Sequence, residues 1–382
     1  MRNLSRIMAG TAVFAMSCTL AATAQAAEAT QAPAGALSDG TQVTAVTLTA
    51  DNGMSATILS FGATLEKLMA PDRDGNMADI TLGYDKLSDY ESRPNYWGAT
   101  IGRYANRIAG GRFTLDGTTY QLPRNDAENS LHGGGKGFDV QNWKVESVAS
   151  GPVARAVFSL MSPDGDSGYP GAVNARVTYS LDENGALRIE FVATTNKPTV
   201  INMTNHAIFN MAGEGAPQGA MENVLTVPAS HYTPVNAALI PTGELRDVEG
   251  TVFDFREGKP VSEGLRDGTN QQIVYGRGFD HNFALDKGVT KKPELAARLE
   301  DPASGRVLEV LTTEPGLQVY SGNFLDGTFI GKHGHLYRMG DGIALEPQKF
   351  PDSPNHDNFV SARVDPGKPY RHVMIYRVSV DR

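Results

Sequence analysis

Apolar and polar residues alternate along much of this chain. From Val173 through Ser180 every second side chain is apolar (Val173, Ala175, Val177, Tyr179), and Leu187, Ile189 and Phe191 repeat the rhythm. A period of two puts successive side chains on opposite faces of a strand. Between the two runs, Asp182-Glu183-Asn184-Gly185 has the composition of a tight turn, so the pair predicts a β-hairpin. Residues 112–122 repeat the pattern around Asp116-Gly117. Further strands are expected at 43–49, 56–59, 153–161, 307–312, 317–320 and 373–380. Helical periodicity is scarce, and residues 292–299 predict only a short helical turn, limited by Pro293. The 41 glycines and 21 prolines are spread along the whole length. Many strands joined by irregular loops favour an all-β sandwich or barrel over alternating βαβ units. No internal repeat or linker interrupts residues 41–382, which are expected to form a single domain.

The beginning of the chain has a different pattern. Met1 to Arg6 carries two arginines, residues 7–22 are apolar or small without charge, and Ala24-Gln25-Ala26 supplies an A-x-A cleavage pattern. Residues 1–26 therefore predict a secretory signal peptide in preference to a buried first helix, and the apolar run is short for a membrane span. The only cysteine, Cys18, lies inside this segment. Ala15-Met16-Ser17-Cys18 is loosely similar to a lipoprotein site, but the residue three before the cysteine is small, so lipidation is the lesser expectation. Cleavage after Ala26 leaves a chain without disulfides or a thiol nucleophile. Its expected location is outside the cytoplasm, in the periplasm. Residues 27–40, rich in Ala, Pro, Gly, Gln and Thr, predict a mobile lead-in.

Charge narrows the partners. Lys and Arg number 34 against 43 Asp and Glu, a formal net charge of −9, and loss of Arg2 and Arg6 with the leader makes the balance more acidic. No basic block interrupts it, which argues against nucleic acid or an anionic membrane and for a neutral or cationic small molecule.

Several segments carry more polar and glycine residues than a simple connection needs. They are 102–108 (Arg103, Asn106, Arg107), 129–135 (His132 before three glycines), 201–210 (His206 among three asparagines and a threonine), 278–283 (Asp280, His281 and Asn282 between phenylalanines), 318–324 (Gln318, Tyr320, Asn323) and 344–352 (Glu346 before Pro347). Each alone has an ordinary structural explanation. The glycine loop lacks the following helix and Lys-Ser/Thr of a phosphate cradle. His333-Gly334-His335 would turn two imidazoles to one face if it were a strand, but no third metal ligand suggests itself. Together, amides, imidazoles, carboxylates and a guanidinium interleaved with aromatics suit a sugar, which needs bidentate partners for its hydroxyls and a flat apolar surface for its C–H faces.

The order and spacing of Asn106-Arg107-Ile108, Leu131-His132-Gly133-Gly134, Thr204-Asn205-His206, Phe279-Asp280-His281, Tyr320-Ser321-Gly322-Asn323-Phe324 and Leu345-Glu346-Pro347-Gln348 resemble the aldose 1-epimerase (galactose mutarotase) family over nearly all of 40–382. The resemblance implies a large, many-stranded antiparallel β-sandwich that interconverts the α and β anomers of a free aldose. It needs no cofactor and no metal. It implies His206 as general acid and Glu346 as general base, with Asn106, Arg107, His132, Asp280 and Gln318 binding hydroxyls or supporting the pair. For that chemistry His206 must be charged and Glu346 ionised, which Asp280 is expected to favour. One departure stands out: the family usually has Ser-Tyr after the histidine, and this chain has Ala207-Ile208. The competing expectations are a glycoside hydrolase, with Asp280 and Glu346 as its two carboxylates, and a sugar-binding protein without catalysis.

Overall fold

The computed structural model describes residues 27–381. Its frame is three antiparallel sheets. The largest has nine strands in the order 144–149, 153–162, 173–182, 186–195, 370–380, 306–312, 294–300, 224–226 and 259–260. A five-stranded sheet runs in chain order from Glu28–Ala36 to Met77–Asp79. A six-stranded sheet is ordered Ile208–Phe209, Ile343–Gln348, Gly316–Tyr320, Asp280–Ala284, His231–Thr233 and Arg246–Asp247. The inner faces share one apolar core, in which Leu48, Ile58, Leu68, Val177, Ile189, Phe209, Phe283, Leu308, Leu345 and Met374 are completely or almost completely buried. Burying that much apolar surface is the main driving force for the sandwich.

The hairpin expected around Asp182–Gly185 forms between Val173–Asp182 and Ala186–Thr195. Asp182 Oδ1 accepts from the N–H groups of Asn184 (3.0 Å) and Ala186 (2.9 Å), and Gly185 takes a φ of 85°. A Cβ on Gly185 would lie 2.4 Å from Met54 Sδ, so the turn also needs glycine for its fit against the neighbouring sheet. Residues 112–115 and 118–121 pair as expected around Asp116-Gly117.

Two expectations fail locally. Residues 28–36 are not a mobile lead-in but an edge strand, paired with Gln42–Thr49. Its side chains are mostly exposed, so no alternation marked it; backbone hydrogen bonds hold it, and Pro33 sits at a register shift, which an edge tolerates. Residues 292–299 make no helical turn, because Glu294–Glu300 is a strand between Val224–Thr226 and Arg306–Thr312. A bulge between Leu295 and Ala297 buries both Ala296 and Ala297, and two adjacent inward residues imitate helical spacing. The proposed leader, residues 1–26, lies outside the described residues.

Candidate active site

Strand parity builds the site. In the six-stranded sheet Glu346 faces Gln318, Gln318 faces Asn282, Ala344 faces Tyr320, and Tyr320 faces Asp280. Residues two apart on a strand share a face, so Ala344, Glu346, Gln348, Gln318, Tyr320, Asp280 and Asn282 share one. Leu345, Val319, Leu317, His281 and Phe283 occupy the other. His281 accordingly packs into the core, 4.8 Å from the Phe253 ring, while its neighbour Asp280 reaches the site.

His206 sits where the chain changes partners. Thr204–Asn205 pairs with 100–101, and Ile208–Phe209 pairs with 343–344. Continuing the second register sets His206 opposite Glu346. Its N–H donates to Ala99 O and its C=O accepts from Gly98 N–H, both at 2.9 Å. The asparagines around it hold backbone and do not reach the cavity. Asn205 Nδ2 donates to Gly98 O at 2.6 Å, Asn202 bridges Ala105 O and the backbone of Lys349, and Asn210 Nδ2 donates to Asp341 O.

The result is a cavity of about 350 Å³, lined by Asn106, Arg107, His132, His206, Asp280 and Glu346 among others. This volume falls within the range of small-molecule pockets. His206 Nε2 lies 3.6 Å from Glu346 Oε1, and both side chains are buried. Arg107 Nε donates to Asp126 Oδ2 at 2.7 Å, and its NH1 lies 3.8 Å from Asp280 Oδ2. Gln318 is the one expected site residue outside the lining. It stands behind Asp280, donating from Nε2 to Oδ1 at 2.7 Å, and its own Oε1 accepts from Gln348 Nε2 at 3.3 Å. Asn106 turns inward: its Oδ1 accepts from Arg107 N–H, and its own N–H donates to His132 Nδ1 at 3.1 Å.

That last bond fixes a tautomer. With Nδ1 accepting, neutral His132 carries its proton on Nε2 and faces the cavity as a donor. His132, His206 and Glu346 could bring three ligand atoms within 4.8 Å of one another. Metal binding through His132 Nε2 would require that nitrogen to lose its proton and Nδ1 to regain one, forfeiting the Asn106 bond. The donor set suits a hydroxyl better than a cation. The other suspected pair, His333 and His335, is in a turn with ring centroids 6.1 Å apart, and His335 Nδ1 contacts Glu214 at 3.2 Å.

Burial governs the protonation of the pair. It pushes His206 down from 6.5 to about 4 and raises Glu346 well above 4.5. The negative charge of Asp280 raises Glu346 further, and Arg107 opposes this. Asp280 therefore does the reverse of what was expected: it disfavours ionised Glu346. Asp280 is itself raised by burial, while Arg107 and the Gln318 hydrogen bond pull it down. Burial thus favours the neutral form of both groups, imidazole at His206 and carboxylic acid at Glu346.

The glycines of 133–135 serve the loop. A Cβ on Gly133, where φ is 89°, would meet Gly102 O at 2.1 Å, so the close backbone approach is to another loop and not to a ligand. Several lining residues had no signal in the sequence: Asn95, Tyr96, Trp97, Asp126, Leu325 and Phe329. Tyr96, at a φ of 64°, places its ring 4.6 Å from His132 and 5.9 Å from His206. Only tertiary packing brings that segment to the site.

Comparison with known proteins places the chain in a family. The family model for aldose 1-epimerase matches residues 44–377. A galactose mutarotase of Mus musculus is 45% identical over 327 residues, 86% of this chain and 92% of that one. An aldose 1-epimerase of Haemophilus influenzae is 39% identical over 320 residues, covering 83% and 90%. Among solved structures, an aldose epimerase homologue from C. elegans superposes with a TM-score of 0.80 at 32% identity, covering 88% of this chain and 99% of that one. The chain belongs to the aldose 1-epimerase family.

Proposed function

We propose that the protein is an aldose 1-epimerase that opens and recloses the ring of a free aldose through His206 and Glu346. The observation carrying this reading is the buried, cavity-lining pair 3.6 Å apart. Ring opening takes a proton from the C1 hydroxyl and gives one to the ring oxygen, so two groups holding one proton between them suffice. Glu346, ionised, accepts the proton from O1 while imidazolium His206 donates to O5. The C1–O5 bond breaks and the aldehyde forms. Rotation about C1–C2 exposes the other carbonyl face; Glu346 then returns its proton to the former O1, His206 retrieves its own, and the ring recloses.

Burial favours the neutral forms of both groups, which are the forms they hold in the middle of this cycle. With the aldehyde bound, Glu346 carries the proton and His206 is neutral, the arrangement that burial favours. The closed ring requires the charged arrangement, which Arg107 supports by lowering Glu346. His132 Nε2–H, Arg107 and Asp280 supply donors and acceptors for the remaining hydroxyls, and Gln318 orients Asp280.

The A-x-A pattern at 24–26 supports placing the mature enzyme in the periplasm. Polarimetry on freshly dissolved α-D-galactose tests the activity. We expect enzyme-dependent approach to the equilibrium rotation, with Glu346→Gln or His206→Asn slower by roughly 10²–10⁴-fold. Wild-type rates in either variant would remove the pair from the mechanism.

A further inference from the structure

His132 and Tyr96 flank His206 with ring centroids 5.1 and 5.9 Å away, but the wall that follows His206 along its own strand is largely apolar. Ile208 lines it together with Leu325, Phe329 and Trp97, and these four pack in one cluster with Leu82, Ala344 and Tyr337. Ile208 is two residues beyond His206, so its side chain follows on the same side of the chain at about 6–7 Å. Its partner across the sheet, Ala344, is likewise two residues from Glu346. The polar groups, Asp280 and Arg107, lie on the other side, beyond Tyr320.

This asymmetry orients a pyranose, given the acid–base assignment proposed above. With O5 at His206 and O1 at Glu346, the ring extends over the row Ile208, Ala344, Tyr320, Asp280. C5 is bonded to O5, so its substituent falls beside Ile208. C2 is bonded to C1, so its hydroxyl falls toward Asp280 and Arg107. Ile208 offers no hydrogen bond, and its Cγ2 is wedged so closely to the backbone that a Cβ on Gly342 would lie 2.5 Å away. Ile208 is thus packed against the Gly342 backbone, where a larger residue would displace it.

The geometry points to Ile208, with Leu325 and Phe329, as a specificity-determining subsite for the C5 substituent that selects 6-deoxyaldohexoses, which present a methyl group there, over aldohexoses, which present a hydroxymethyl. The methyl gains apolar contact with Ile208, Leu325 and Phe329, none of which offers a hydroxyl a hydrogen bond. A buried hydroxyl lacking a hydrogen bond corresponds to roughly tenfold or more in discrimination.

The test compares kcat/KM for 6-deoxy-D-galactose and D-galactose, which differ only at this group, using the full mature protein. The expected ratio is about tenfold in favour of the deoxy sugar; a ratio near or below one overturns the subsite. Ile208→Thr keeps the β-branch and adds a hydroxyl, and should bring the ratio toward one. An unchanged ratio in a folded variant removes Ile208 from the assignment. If Ile208→Thr fails to fold, the wild-type ratio alone decides. Turnover of D-galactose with no preference defeats this inference only, whereas no mutarotation of any aldose defeats the acid–base reading beneath it as well.

Discussion

The nine-stranded and six-stranded sheets are built by the same alternation but use their polar groups differently. No strand of the nine-stranded sheet contains a buried side-chain nitrogen or oxygen without a protein partner among the described residues. On the six-stranded sheet such atoms concentrate: His281 Nε2, both side-chain polar atoms of Asn282, Glu346 Oε2 and Gln348 Oε1, with His206 Nδ1 beside them. A buried polar group without a partner costs on the order of 1–3 kcal/mol. The first sheet is therefore a satisfied scaffold. The second concentrates unpartnered polar groups behind and beside the catalytic pair, with His281 on its core face, and their cost is offset by the apolar core.

The contrast can be broken at either sheet. The largest effect is expected at the pair. Glu346→Gln should cost roughly 10²–10⁴ in rate while leaving the melting temperature unchanged or higher, because the amide removes a carboxyl that burial disfavours as an anion. A variant that loses both activity and stability would show that Glu346 also holds the fold. On the scaffold, Leu187→Ala empties a fully buried site facing Leu181 and Tyr376 across the sheet. It should cost about 2–5 kcal/mol in chemical denaturation, with kcat per folded molecule unaltered. A change in kcat would mean that the sheets are not separable in this way.

A smaller effect is expected in the pH profile. The working pair holds one proton, and below the His206 pKa it gains a second. Since burial lowers that value from 6.5 to about 4, the acid limb of kcat/KM should fall near 4. The alkaline limb, where the pair loses its proton, should lie well above the ordinary carboxylate value of 4.5. An acid limb at 6.5 would mean that the imidazole is solvated in the free enzyme. The smallest effect concerns Asp139, whose carboxyl burial raises from 3.8 to about 7. A raised carboxyl pKa favours the folded state while protonated, and that contribution is lost as pH rises through about 7. Asp139→Asn stays neutral, so its gain in melting temperature over wild type should be small near pH 3.8 and largest above 7. A gain independent of pH would contradict this.

The residues of the site were legible in the sequence wherever side-chain type carried the signal. Five polar segments besides 201–210 were singled out, and every one contributes to the cavity or stands directly behind it. Segments without such a signal were not legible. Tyr96, Trp97 and Phe329 are aromatic residues like many others in the core, and nothing in their local spacing points to His132 or His206. The edge strand 28–36 was invisible for the related reason that backbone pairing, not side-chain burial, holds it.

Two determinations thus remain distinct. Alternation, turn chemistry and the ordered motifs determined by themselves that the chain is an all-β member of its family and which side chains are candidates for chemistry, because each depends on residues near one another in sequence. The tertiary structure decided how those groups behave. Sheet parity sent Asp280 to the cavity and His281 to the core, the backbone of Asn106 set the tautomer of His132, and burial pushed His206 and Glu346 toward their neutral forms. Those properties arise from distance and dielectric between segments far apart in the chain, which no local pattern encodes.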